Sequence, residues 1–99
     1  MVIASVTLMV LRIDIASNSS STIFVLSGRI EKTTIGELQE ILASQKANQK
    51  IAFDLMYVKL IDQHSVEFLV ECESRGVQLW NCPLYLREWI DRVRNGEGM

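Results

Sequence analysis

The chain is predicted to fold as one α/β domain, with a small mixed four-stranded sheet and three helices in the order ββαβαβα. Three observations support this class. The 99 residues suffice for one hydrophobic core and are too few for two. β-branched segments with a period of two alternate with segments of helical period. One proline and five glycines leave little room for linkers, so residues 1–99 are assigned to a single domain.

The first half of the chain supplies two strands and a helix. Ala4–Ile15 is rich in β-branched residues and ends in an apolar–charged alternation, so it is strand one, followed by a polar turn at Ser17–Ser21. Ile23–Ser27 is strand two, which closes at Gly28, a residue free to adopt positive φ. The first helix is expected over Thr34–Lys46.

The start of that helix has capping-box spacing. Thr34 and Glu37 are three residues apart and are expected to satisfy each other's free amides. The polar segment Ala47–Lys50 connects the helix to the next strand.

The second half of the chain continues the alternation. Ile51–Leu55 is strand three, and a short apolar loop over 56–61 leads to Asp62, a good N-cap for a helix that ends before Gly76. Val77–Trp80 is strand four. Pro83 suits the first turn of a last helix, whose apolar stripe consists of Leu86, Trp89, Ile90 and Val93 and which ends at Asn95-Gly96.

Right-handed crossovers make strands two, three and four parallel, and a short turn makes strand one antiparallel to strand two. If the sheet grows steadily in one direction, the first two helices share one face, and the other face stays partly open. Trp80 is expected there, beside Ala52 and an apolar row of strand two, as an anchor for a partner or for a homodimer. The alternative is that Met1–Val6 folds over this face and buries Trp80.

Composition argues against several classes of partner. A net charge of −2 without a basic stripe argues against nucleic-acid binding. The apolar run Met1–Leu11 is too short to cross a bilayer and lacks the basic start and cleavage pattern of a signal peptide, so no membrane insertion is expected. Cys72 and Cys82 are expected to be free thiols in a reducing cytoplasm.

Catalytic motifs are missing from the sequence. It has one histidine, His64, no glycine-rich phosphate loop, and no metal-ligand pair at helical spacing with a third ligand nearby. We therefore expect no enzymatic activity, cofactor or metal. The one informative segment is the helix start at Asp62–Ser65, whose free amides favour a phosphate or carboxylate near residues 63–65. The alternative is a plain capped helix.

Three stretches, Leu26–Ile30, Asp54–Asp62 and Gly76–Pro83, resemble in their order and spacing the STAS domain of bacterial anti-sigma factor antagonists. In the regulatory members of that family, the aspartate precedes two small hydroxyl residues and a glycine, and a partner kinase phosphorylates the second hydroxyl. By this resemblance, Asp62 corresponds to the aspartate of the family. The phosphoacceptor has no counterpart here, because Gln63 and His64 occupy the two hydroxyl positions and Ser65 occupies the position of the glycine.

Two residues could still act as a switch. Ser65 is displaced by one position, which rotates it by about 100° around the helix. His64 lies on the first helical turn, where the dipole disfavours its charged form, and either a phosphohistidine or pH switch or an ordinary surface histidine is compatible with that position.

The resemblance implies a cytoplasmic, non-enzymatic protein–protein interaction module in bacterial signalling or regulation. Its partner would be an anti-sigma factor with a kinase-like fold. One alternative is an accessory subunit of a membrane transport assembly, which would bind an ATPase or permease. Another is a domain that binds a small ligand or nucleotide at the helix start. The candidate partner-binding residues are Asp62, Gln63, His64, Ser65 and Trp80.

Overall fold

A computed structural model describes residues 2–45 and 48–96, the first two of them by their backbone alone. The described residues form an α/β fold with three helices and a mixed five-stranded sheet. In chain order the elements are β1 Val2–Thr7, β2 Leu11–Ser17, β3 Ser21–Ile30, α1 Lys32–Ala43, β4 Lys50–Ile61, α2 Gln63–Ser74, β5 Gln78–Trp80 and α3 Leu84–Arg94.

The strands lie side by side in chain order, from β1 at one edge to β5 at the other. β3, β4 and β5 are parallel, while β1–β2 and β2–β3 are antiparallel. The predicted parallel and antiparallel pairings are therefore confirmed.

The predicted number of strands was wrong, because Ala4–Ile15 is not one strand. The chain turns at Leu8–Val10, where the Leu8 amide donates to the Leu11 carbonyl at 2.7 Å, and β1 and β2 form a hairpin. The turn contains none of the residues that usually mark a hairpin. Its position is set by β3, since the Arg29 amide donates to the Val10 carbonyl at 2.9 Å.

Helix α1 begins two residues before its predicted start, and its cap differs. The Glu31 amide donates to Thr34 Oγ1 at 3.2 Å, so Thr34 bonds to the residue before the helix. The predicted partner Glu37 is exposed instead. The helix ends at Ala43, whereas Lys46 and Ala47, which bounded the predicted helix and connection, lie outside the described residues.

Strand β4 is more than twice as long as predicted, because residues 56–61 continue the strand. They stay paired with β3 through two bulges, each of which adds one residue to β4. The first lies between the pairs Val25–Asp54 and Ser27–Tyr57, and the second follows the pair Gly28–Val58. A bulge interrupts the alternation of buried and exposed side chains, which is why the sequence pattern indicated a loop.

The later elements lie close to their predicted bounds. Asp62 is the N-cap of α2, and Gly76 follows the C-cap with φ of +100°, both as expected. Pro83 is the N-cap of α3 and not part of its first turn. The predicted stripe of α3 packs inward, with Leu86 and Ile90 fully buried and Trp89 and Val93 half-buried.

One hydrophobic cluster joins the three helices to one face of the sheet. The buried members are Leu11, Ile13, Phe24, Leu26, Ile30, Leu38, Phe53, Leu55, Val58, Val66, Leu69, Cys72, Leu86 and Ile90. The opposite face, with alternate residues such as Ile23, Val25 and Ala52, has no helix of the described residues against it.

Trp80 lies on this open face, in register with Asp54 and Val25, and is 40% exposed. The described part of the N-terminal segment is the edge strand β1, at the far side of the sheet, and it does not cover Trp80. The alternative in which that segment buries Trp80 is therefore wrong for these residues, and Met1 lies outside the described part.

Replacing Gly28 by alanine should destabilise the β1–β2 turn. A Cβ at this position would lie 2.5 Å from the Val10 carbonyl oxygen, and the backbone has φ of +112°. We expect Gly28→Ala to lower the free energy of unfolding by roughly 1–3 kcal/mol, measured by urea denaturation. The matched control is Gly36→Ala on α1, where a Cβ meets nothing within 4 Å. It should raise stability by up to about 1 kcal/mol, and equal effects of the two changes would contradict this account.

Candidate functional site

The carboxylate of Asp62 caps two helices at once. Its Oδ1 accepts from the Ser65 amide of α2 at 2.8 Å, and its Oδ2 accepts from the Lys32 amide at the start of α1 at 2.9 Å. The first amides of a helix have no partner within the helix, so each bond satisfies a donor that would otherwise need water. Asp62 thus ties the β4–α2 junction to the β3–α1 junction.

This arrangement favours the ionised carboxylate. Burial alone would raise the pKa of Asp62, but the hydrogen bonds from the backbone amides of Ser65 and Lys32 outweigh it, and the pKa lies below the usual 3.8. Two helix N-termini also direct their positive dipole ends at the same group. Asp62 is therefore negatively charged at neutral pH and has a structural role.

Gln63 and His64 have different surroundings. The side chain of Gln63 bridges two helices, because its Oε1 accepts from Trp89 Nε1 of α3 at 3.1 Å and its Nε2 donates to Glu67 at 3.2 Å. His64 is exposed, and its Nδ1 lies 3.9 Å from a Glu67 carboxylate oxygen. Of the two, only His64 presents its side chain to an incoming protein.

Ser65 is fully buried, although it lies on the first turn of α2. Its amide bonds to Asp62, and its Oγ has no hydrogen-bond partner among the described residues. The one-residue displacement inferred from the sequence therefore directs this hydroxyl into the protein. A kinase cannot reach it in the folded chain.

The protein's own carboxylate uses one of the amides of the predicted anion position at residues 63–65. Asp62 Oδ1 takes the Ser65 amide, and the Asp62 carbonyl takes the Val66 amide at 3.0 Å. Glu67 adds a second carboxylate within one turn. The Asp62 cap agrees with the capped helix that the sequence offers as the alternative to an anion site.

Trp80 lies apart from the α2 start, at the end of β5. Its Nε1 donates to Gln78 Oε1 at 2.9 Å, and its ring is partly exposed on the open sheet face. Beside it, Asp54 Oδ1 accepts from the Met56 amide at 3.0 Å and from Asn81 Nδ2 at 3.1 Å. Asp54 therefore holds both the first β4 bulge and the loop that follows Trp80.

Sequence reasoning missed a group of exposed apolar side chains near the carboxyl ends of the parallel strands. The two bulges of β4 make neighbouring residues point outward together, so Met56, Tyr57 and Leu60 are each more than half exposed. Leu84 and Tyr85, in the first turn of α3, are exposed at 73% and 49%. These five residues with Trp80 are called the carboxyl-end surface below. Leu84 and Tyr85 could have been found, since they lie off the buried stripe of α3.

Other kinds of site are not found within the described ranges. There, no three or more His, Cys, Asp or Glu side chains are grouped so that they could hold a metal ion. Burial raises the pKa of the Cys72 thiol to about 12, so this cysteine is a poor nucleophile. None of the helices in the described part combines the length and hydrophobicity needed to cross a membrane.

Comparison with models of protein families gives no match for this chain, and neither does comparison with curated protein sequences.

Replacing Asp62 by asparagine should remove a pH-dependent part of the stability. Because the folded-state pKa lies below 3.8, the ionised carboxylate stabilises the fold fully above that pH. The contribution is lost as the pH falls from 3.8 through the folded-state pKa. We expect Asp62→Asn to cost about 1–2 kcal/mol at pH 7 and progressively less below pH 4, as measured by urea denaturation.

Glu88→Gln, an exposed change on α3, is the control for this measurement. It should leave the stability within about 0.5 kcal/mol of the parent at each pH. A loss in Asp62→Asn that stays constant down to pH 3 would contradict the charge-dependent double cap.

Ser65 should not be phosphorylated in the folded protein, because its hydroxyl is buried. Phosphopeptide mapping of the protein from growing cells, with Ser65→Ala as the control for site assignment, measures this directly. Stoichiometric phosphate on Ser65 would show that the start of α2 opens in the cell.

Proposed function

We propose that this protein is a non-enzymatic protein–protein interaction module of a bacterial signalling or regulatory pathway. It would be related to the STAS-type anti-sigma factor antagonists and would lack their serine switch. The carboxyl-end surface is the observation that carries the proposal. Several large apolar and aromatic side chains are exposed near one end of the sheet, and exposed groups of this kind are typical of protein interfaces.

The chemistry of this surface fits a protein partner. Tyr57, Tyr85 and Trp80 combine broad apolar area with polar groups, the composition typical of interface hot spots. Lys59 and Leu60 form the second outward pair produced by a bulge, so charge lies next to apolar area. Bulges commonly redirect side chains beside functional sites, and here they present several at one end of the sheet.

The position of the capping aspartate at the start of α2 supports the resemblance to the antagonists. The side chains that follow this aspartate differ from those of the antagonists. Asp62 is the helix cap at the end of a parallel strand, as the resemblance implies. Ser65 is buried, and Gln63 is engaged by Trp89, so of residues 63–65 only His64 has an exposed side chain. Partner binding would therefore not be controlled by serine phosphorylation. The proposed partner is a cytoplasmic anti-sigma factor with a kinase-like fold.

Small-ligand binding is the second candidate function. A groove of about 720 Å³ between α1 and α2 favours it, with apolar residues such as Leu42 and Phe68 beside Gln39 and Arg75. Pockets for small ligands commonly combine an apolar lining with a few polar groups.

The test compares affinity-purified parent protein with Leu60→Glu and Ser19→Glu, each expressed in the source cells. Leu60 lies on the carboxyl-end surface, and exposed Ser19 lies in the β2–β3 turn at the opposite end of the sheet. Quantitative mass spectrometry should find a kinase-like partner with the parent and Ser19→Glu, reduced at least tenfold with Leu60→Glu.

Other outcomes separate the alternatives. An ATPase or permease in place of the kinase-like protein would indicate a transport subunit. A small molecule bound to the purified protein in native mass spectra, with no protein partner, would favour the α1–α2 groove. Equal partner recovery with Leu60→Glu would show that the carboxyl-end surface is not the interface.

A further inference from the structure

The outer edge strand β1 has no charged side chain, proline or bulge of its own. β1 is the first strand in the sheet and pairs with β2 in unbroken register from Val2–Ser17 to Thr7–Arg12. Residues 1–11 contain no charged residue, proline or glycine. Natural sheets commonly protect long edge strands with charge, proline or a bulge, so this edge is open to another strand.

The other edge of the sheet is protected. β5 is only three residues long, and Asn81 with φ of 53° and then Pro83 follow it directly. Strands this short, closed by a turn, offer few backbone groups to a neighbour. The two edges therefore differ, and only β1 presents a strand of useful length.

The hairpin geometry shows which groups of β1 point outward. Leu8 donates to Leu11, so these two residues form a hydrogen-bonded pair of the antiparallel ladder. Such pairs alternate along the ladder, which directs the backbone groups of Val6 and Ala4 toward β2. The amides and carbonyls of Ser5 and Thr7, with those of residue 3, then face away from the sheet.

We infer that β1 pairs with β1 of a second copy of this chain, antiparallel and with the two-fold axis at Ser5. This register uses every outward group, because Ser5 faces Ser5 and Thr7 faces residue 3. The strand itself is uncharged, so no like charges face each other between the two paired strands. The carboxylates near this edge lie on β2 and α1 and are those of Asp14, Glu37 and Glu40. A symmetric, self-complementary contact of this kind makes a closed dimer with one continuous sheet.

The side chains of β1 also fit pairing with β1 of a second copy. Ala4, Ser5 and Thr7 are small and exposed, so they let a second strand approach to hydrogen-bonding distance. Val6 is only half-buried in the single chain, where it lines a shallow groove beside Ile41. In the proposed register, Val6 packs against Ala4 of the second copy, which removes further apolar area from water.

Sedimentation velocity over a range of protein concentrations tests the dimer. The measurement is made at high ionic strength, because Glu37 and Glu40 lie beside this edge and their repulsion from a second copy must be screened. Ser5→Pro removes the outward amide at the axis and should weaken dimerisation at least tenfold. Ser5→Ala is the matched control, since it loses only the Ser5 hydroxyl bond to Asp14 at 2.8 Å. It should dimerise like the parent.

Disulfide cross-linking tests the register and does not depend on the proline variant folding. Hydrogen-bonded antiparallel pairs have Cα atoms about 5.5 Å apart, within disulfide range. In a Cys82→Ser background, Ser5→Cys should therefore form a covalent dimer under mild oxidation, and Thr7→Cys should not. A parent protein that stays monomeric, a folded Ser5→Pro that dimerises as tightly, or equal cross-linking at both positions would overturn the inference.

Discussion

The double cap at Asp62 is the interaction on which the arrangement of the described fold depends. One carboxylate bonds to the first turns of α1 and α2, each of which follows one of two neighbouring parallel strands. The strand ends and the helix starts are thereby held together at one end of the sheet. One of these bonds uses the Ser65 amide, which an external anion at the start of α2 would also need. The aspartate that marks a candidate phosphate site in the sequence therefore acts as a structural cap.

The carboxyl end of the parallel strands is rigid and also exposes apolar side chains. Asp54 bonds to the Met56 amide and to Asn81, and so it holds the bulged part of β4 next to the loop after β5. The outward pairs of β4 are therefore carried by a strand and not by a loose loop. Side chains held in this way lose little freedom when a partner arrives, which lowers the entropic cost of binding.

Local signals in the sequence predicted local features well. Asp62 before an apolar period and Gly76 after it identified α2, because capping acts within one helical turn. The alternation of Leu79 and Trp80 placed the tryptophan on the open face. Features set by contacts distant in sequence were missed. The β1–β2 turn depends on β3, the length of β4 depends on its bulged pairing, and the burial of Ser65 depends on how α2 sits on the core.

The turn at Leu8–Val10 has a consequence for how the chain folds as it is made. Its residues have no turn preference of their own, and its carbonyl at Val10 is held by the Arg29 amide. Because synthesis proceeds from the N-terminus, β1 and β2 leave the ribosome before the residues of β3 that hold their turn. The turn between β1 and β2 is therefore held in place only after β3 has been made. During that interval, the uncharged segment of β1 is exposed, and exposed apolar strands of this kind favour aggregation of partly folded chains.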